Sequence, residues 1–137
     1  MDWSDIDTLL KNGHEIGSHS MGHINIAETD LSVVEENLNK SYKILTSKCG
    51  NVEHFAYPYG RFFHFNLPSF NLVFKAGFKS CASAERGCHI SNKKIKSNEL
   101  LIRRDNTVID WGLDQIMYFI LNSSKKADVQ NNYISSQ

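Results

Sequence analysis

Two histidines four residues apart, His19 and His23 in the run His14-Glu-Ile-Gly-Ser-His-Ser-Met-Gly-His23, are the residues best suited to chemistry. That spacing turns both imidazoles the same way from a helical turn or a tight loop, where they can hold one metal ion. Gly17 and Gly22 flank the pair and let backbone come close to an ion. With six histidines in the chain, spacing alone also fits two surface imidazoles on a polar loop. The second feature is Phe55-Ala-Tyr-Pro-Tyr-Gly60. It reads either as a plain turn with a packed aromatic or as a rigid backbone N–H, after the proline, aimed at a developing oxyanion. His14 reads as a structural neighbour of a strand, and His54, His64 and His89 as surface or packing residues.

The elements that must carry these residues follow from periodicity. Trp3, Ile6, Leu9 and Leu10 predict a first helix, capped by Asp2 or Ser4 and stopped at Asn12-Gly13. A strand over 14–18 runs into the histidine loop. Leu31, Val34, Leu38, Tyr42 and Leu45 mark one face of a long helix with Asp30 as N-cap, Glu35 and Glu36 favouring its dipole, and Cys49-Gly50-Asn51 as its end. Val52–Tyr57, Phe78–Ala84 and Leu100–Arg103 read as strands, with a helix over 69–75 between the first two. Leu113, Ile116, Met117, Ile120 and Leu121 define a last amphipathic helix, and 125–137 reads as a polar tail after one domain over 1–124.

The chain has 137 residues, 41% hydrophobic, with 15 basic and 15 acidic side chains. Zero net charge argues against nucleic acid as a partner. No apolar run approaches the roughly 20 residues of a membrane-spanning helix, and the acidic, polar opening residues are no secretory signal. The odd set Cys49, Cys81 and Cys88 contains no Cys-x-x-Cys. Packed thiols are the first reading and a Cys81–Cys88 disulfide the second. Strands alternating with helices imply an α/β fold with mostly parallel pairing. In such sheets ligands bind beyond the carboxyl ends of the strands, so the histidine loop and the Pro58-Tyr59-Gly60 turn belong on one rim.

Taken together, GHEIGSHSMGH, the helix EENLNKSYKIL, FAYPYG and AGFKSCAS resemble the polysaccharide deacetylases, the NodB-homology group of carbohydrate esterases, from about Trp3 to about Arg104. The resemblance implies a partial, distorted (β/α) barrel lacking its first strand or strands. It implies a divalent metal, most often zinc, at His19 and His23, and Tyr59 as the catalytic main-chain donor to the oxyanion. Tyr57 and Pro58 would be substrate-binding residues. The implied reaction is metal-dependent hydrolysis of the amide of an N-acetylated oligo- or polysaccharide.

Three family features differ here. The Asp-Asp strand that supplies the third ligand and the base would precede Trp3 and is absent from this sequence. Asp2, Asp5 and Asp7 lie on the first helix and read as caps and dipole partners. Ala56 stands where many relatives carry arginine, with Arg104 a candidate to supply the guanidinium. No Leu-x-His follows at Ile120-Leu-Asn122. The alternative is a catalytically dead remnant that at most binds carbohydrate weakly, with Tyr57, Tyr59, Phe62 and Phe63 as stacking surfaces.

Overall fold

Asp2 begins the first helix by satisfying amides that the helix itself cannot. Its Oδ1 accepts the Ser4 and Asp5 N–H groups at 2.8 and 3.2 Å, while Asp5 Oδ2 accepts the Asp2 N–H at 2.8 Å. This reciprocal cap starts α1 (Trp3–Lys11). The structure, a computed structural model, describes residues 1–87 and 101–125. Cys88, His89 and residues 126–137 of the expected tail lie outside the described residues.

Helix α2 (Leu31–Cys49) follows a single 3-10 turn at Ile26–Glu28. Asp30 occupies its N-cap position but its side chain makes no capping bond. Glu35 and Glu36 sit beyond the first turn, so they serve as ion-pair partners: Glu35 meets Lys75 at 2.7 Å and Glu36 meets Lys40 at 2.6 Å. The Glu35 pair ties α2 to α3 (Leu67–Lys75), which begins two residues before its expected start because Asn66 caps it and Pro68 stands in its first turn.

Among the described residues three short strands form the sheet: β1 (His54–Ala56), β2 (Ser80–Ala82) and β3 (Leu101–Ile102), in the order β1-β2-β3 and all parallel. His54 pairs with Ser80, Phe55 with Cys81, and Cys81 with Leu101. The strand expected at 14–18 contracts to one parallel bridge, Ser18 to Phe55, made by Ser18 N–H to His54 O and Ala56 N–H to Ser18 O, both 2.8 Å.

Alternation along the strands separates two faces. Phe55 and Cys81 face the helices and join Val34, Leu38, Phe70, Val73 and Phe78 in the core. Each such side chain, removed from water, stabilises the fold by roughly 1.5–3 kcal/mol. Ala56 and Ala82 face the other way and line an open cleft. Helix α4 (Leu113–Lys125) leaves Leu113, Tyr118 and Leu121 exposed. No described helix is long and apolar enough to cross a membrane.

Candidate active site

The histidine loop is fixed at both ends before its imidazoles are placed. Ser18 is bridged to β1, and its buried hydroxyl donates to Ser41 Oγ of α2 at 3.0 Å, which in turn donates to Leu38 O at 3.0 Å. Further along, the Met21 N–H donates to Asn37 Oδ1 of α2 at 2.9 Å. Between these anchors Ser20 and His23 take positive φ, 66° and 51°. The Ser20 hydroxyl is buried with no hydrogen-bond partner among the described residues. Such backbone conformations in non-glycine residues cost about 1–3 kcal/mol each and persist only where the surroundings enforce them.

His19 Nδ1 lies 2.8 Å from Ala56 O at the end of β1. A carbonyl only accepts, so Nδ1 carries the hydrogen and donates. That leaves the Nε2 lone pair of the neutral ring for another partner, the arrangement that orients a metal-ligating histidine. The His23 ring stands edge-on to it with centroids 4.9 Å apart. Two imidazoles on one tetrahedral ion place their ring centres about 5 Å apart, so the pair fits two positions of a divalent metal. Among the described residues no third His, Cys, Asp or Glu joins them.

The turn after β1 reaches the same rim. Tyr57 N–H donates to Ala82 O at 3.0 Å, ending the β1–β2 ladder, and Gly60 N–H donates back to Pro58 O at 2.6 Å. This i to i+2 bond, with Tyr59 at φ 59°, is a γ-turn of the rarer, strained hand. Gly60 holds φ 68°, and a Cβ there would sit 2.6 Å from Ala84 N, whose N–H donates to Gly60 O at 2.8 Å. Only glycine allows that approach. The Tyr59 ring packs edge-on against His23 at 4.8 Å. Its own N–H has no acceptor among the described residues. The expected convergence of His19, His23 and Tyr59 on one rim is therefore present in the geometry.

Tyr57 and Pro58 are placed differently from the sequence expectation. Both are fully buried. Tyr57 stacks on Phe65 at 3.9 Å and meets Phe55 edge-on at 5.1 Å, so its ring is core and offers no face to a sugar. Its hydroxyl lies against the Cys81 thiol, and burial raises the pKa of both groups, Cys81 to about 12. A thiol held that high is a poor nucleophile at neutral pH. Phe62 is likewise buried, beneath the Arg103 guanidinium at 4.9 Å. Of the four expected stacking rings, Tyr59 and Phe63 remain exposed.

Below this rim a cleft of about 500 Å³ is lined by His19, His54, Ala56, Ala82 and Arg104 among others. Arg104 donates through Nε to Ser83 O at 3.0 Å. Its terminal nitrogens have no acidic partner among the described residues. Arg103, one residue earlier, turns to the opposite side, where burial lowers its pKa. His54 bonds Ser80 Oγ at 2.7 Å and Glu15 at 3.0 Å, tying the residues before the histidine loop to β2. His64, expected as a surface or packing residue, packs beside the rim. Its Nδ1 accepts the Arg61 N–H at 3.1 Å and its ring lies 5.3 Å from Tyr59. No periodicity or short motif announces that contact.

Fold and site together define an α/β protein with a pair of histidines and a strained turn at the carboxyl end of a small parallel sheet. The sequence model of the polysaccharide deacetylases matches residues 1–80, more than half of the chain, and the chain belongs to that family. Among solved structures it is similar to a Streptococcus pyogenes deacetylase, PplD, determined in complex with acetate. The TM-score is 0.72 at 14% identity, over 88% of this chain and 50% of that one. The chain thus spans about half the length of that relative, and the likeness is one of fold. No curated protein matches the sequence.

Proposed function

We propose that this chain contributes the metal-binding rim of a deacetylase that hydrolyses the acetyl amide of an N-acetylated sugar or polysaccharide. The observation that carries the reading is the His19 Nδ1 bond to Ala56 O, which frees Nε2 beside a His23 ring at 4.9 Å. His19 and His23 would hold a divalent ion, zinc being the one suited to two imidazoles in tetrahedral geometry. When bound, such an ion polarises the acetyl carbonyl and lowers the pKa of water.

The chain's own groups do the rest. The Tyr59 N–H, fixed by the γ-turn, donates to the oxygen on which negative charge grows. Arg104, unpaired at its terminal nitrogens among the described residues, reaches the cleft where Ala56 leaves room and can bind a carboxylate or a sugar hydroxyl. We further read the three-stranded sheet as an arc of a distorted (β/α) barrel. A carboxylate for the third metal position belongs to the remainder of such a barrel.

The test is acetate release from N-acetylglucosamine oligomers by the full-length protein, with and without chelator. Release that stops with chelator, returns with zinc, and is lost in His19→Ala and His23→Ala supports the reading. Release that ignores both chelator and the two substitutions contradicts it.

A further inference from the structure

Helix α4 is tied to the body through Phe119 and Ser123. Phe119 stacks on Trp111 at 4.8 Å with the Arg86 guanidinium 5.3 Å from its ring, and the buried Ser123 hydroxyl donates to Asp105 Oδ2 at 3.3 Å. Away from these contacts Leu113, Met117 and Leu121 recur every fourth residue with Tyr118 beside them, all between 46% and 73% exposed. The four side chains present about 500 Å² of largely apolar surface, as much as the largest patch of a typical monomer. Two charges frame it. Asp114 and Lys125 are exposed at opposite ends of α4, eleven positions or about three turns apart, and so share the helix face with Leu121. Neither has an ion-pair partner among the described residues.

We propose that this face is the interface between two copies of the chain, their α4 helices packed antiparallel about a two-fold axis. The inference stands apart from the deacetylase reading. A two-fold interface must complement itself, and α4 does so. Setting Asp114 against the partner's Lys125 forms two ion pairs by symmetry and lays Tyr118 over the partner's Leu121, again twice. Opposite ends of the helix dipoles then lie side by side, whereas a parallel pair would set like charge on like. The two patches together bury about 1,000 Å², the lower bound of a specific interface, so the dimer is a weak one with a micromolar Kd. A membrane surface fits the face less well. Lys125 is the single basic residue of α4, and a helix that lies on lipid carries several.

The experiment is sedimentation velocity of the full chain over a series from low to high micromolar protein. The wild type passes from monomer to dimer, and added salt weakens the dimer. Asp114→Lys and Lys125→Asp each replace two attractions by two repulsions. Each weakens self-association about tenfold, some 1.4 kcal/mol, with an unaltered circular dichroism spectrum. Mixed in equal amounts, the two variants pair as tightly as wild type, and Tyr118→Asp removes the dimer. Wild type that stays monomeric across the series overturns the interface, as does a dimer that ignores both charge swaps. A monomer that binds vesicles of anionic lipid, with Tyr118→Asp abolishing the binding, overturns it in favour of a membrane surface. A monomer whose Tyr118 ring resists surface labelling overturns it in favour of further polypeptide of the same chain.

Discussion

The two sides of the sheet are built on opposite terms. Toward the helices, Phe55, Val34, Leu38 and Val73 are almost wholly buried in regular elements. At the carboxyl rim, all three described non-glycine residues with positive φ, Ser20, His23 and Tyr59, fall within the candidate site. Their unfavourable backbone energies are tolerated because the packed side holds the anchors: Ser41 and Asn37 on α2 fix the loop, and Ala84 after β2 fixes the turn. The contrast teaches that this site is placed by the core rather than by its own stability.

The largest effect is expected on the packed side. Phe55→Ala removes a ring buried among Tyr57 and Phe78 and should cost about 3–5 kcal/mol in denaturant unfolding. Retention of full stability would mean that the helix-facing core does not hold the rim. Next comes Gly60→Ala, which combines a φ of 68° with a Cβ 2.6 Å from backbone. A loss of about 2–4 kcal/mol is expected, and the Tyr59 amide resonance should move with it.

A matched pair sharpens the contrast at smaller scale. Ser20→Gly relieves a positive φ and deletes a buried hydroxyl without a partner among the described residues, so it should stabilise by about 1 kcal/mol. Ser41→Gly removes a hydrogen-bonded, buried serine from the middle of α2 and should destabilise by about 1–2 kcal/mol. Equal signs in thermal melts would erase the distinction between the two regions.

The smallest effect is electrostatic. The Lys79 ammonium bonds the Glu53 carboxylate and holds it below the ordinary carboxylate range. A folded-state value lower than the unfolded one contributes stability that is present above the ordinary carboxylate pKa and is lost as pH falls through the lowered one. Glu53→Gln should therefore flatten the acid limb of the stability profile slightly and leave neutral pH little changed, because the pair is solvent-screened.

Much of the scaffold was legible because helices advertise themselves by period: α1, α2 and α4 lie where the apolar residues recur. The meeting of His19, His23 and Tyr59 was legible because parallel strands send their exit loops to one end. Tyr57 was misread as a sugar contact although strand alternation held the answer. It stands two residues after Phe55 and so faces the same core. The same rule separates Arg103, buried on Phe62, from Arg104, which lines the cleft. The strand at 14–18 shrank to a bridge because among the described residues Ser18 alone of that stretch pairs with β1. That His64 packs on Tyr59 in particular depends on a ring contact across a turn, which no linear pattern encodes.

The most direct measurement is a Co²⁺ titration, the ion standing in for zinc, followed by NMR of the histidine rings and the backbone amides. The account predicts that the His19 and His23 ring signals and the Tyr59 amide shift first and together, and that His19→Ala with His23→Ala abolishes all three responses while the core spectrum stays intact. Shifts centred on His54 or His14, or a Tyr59 amide that stays still while the two rings respond, would contradict it.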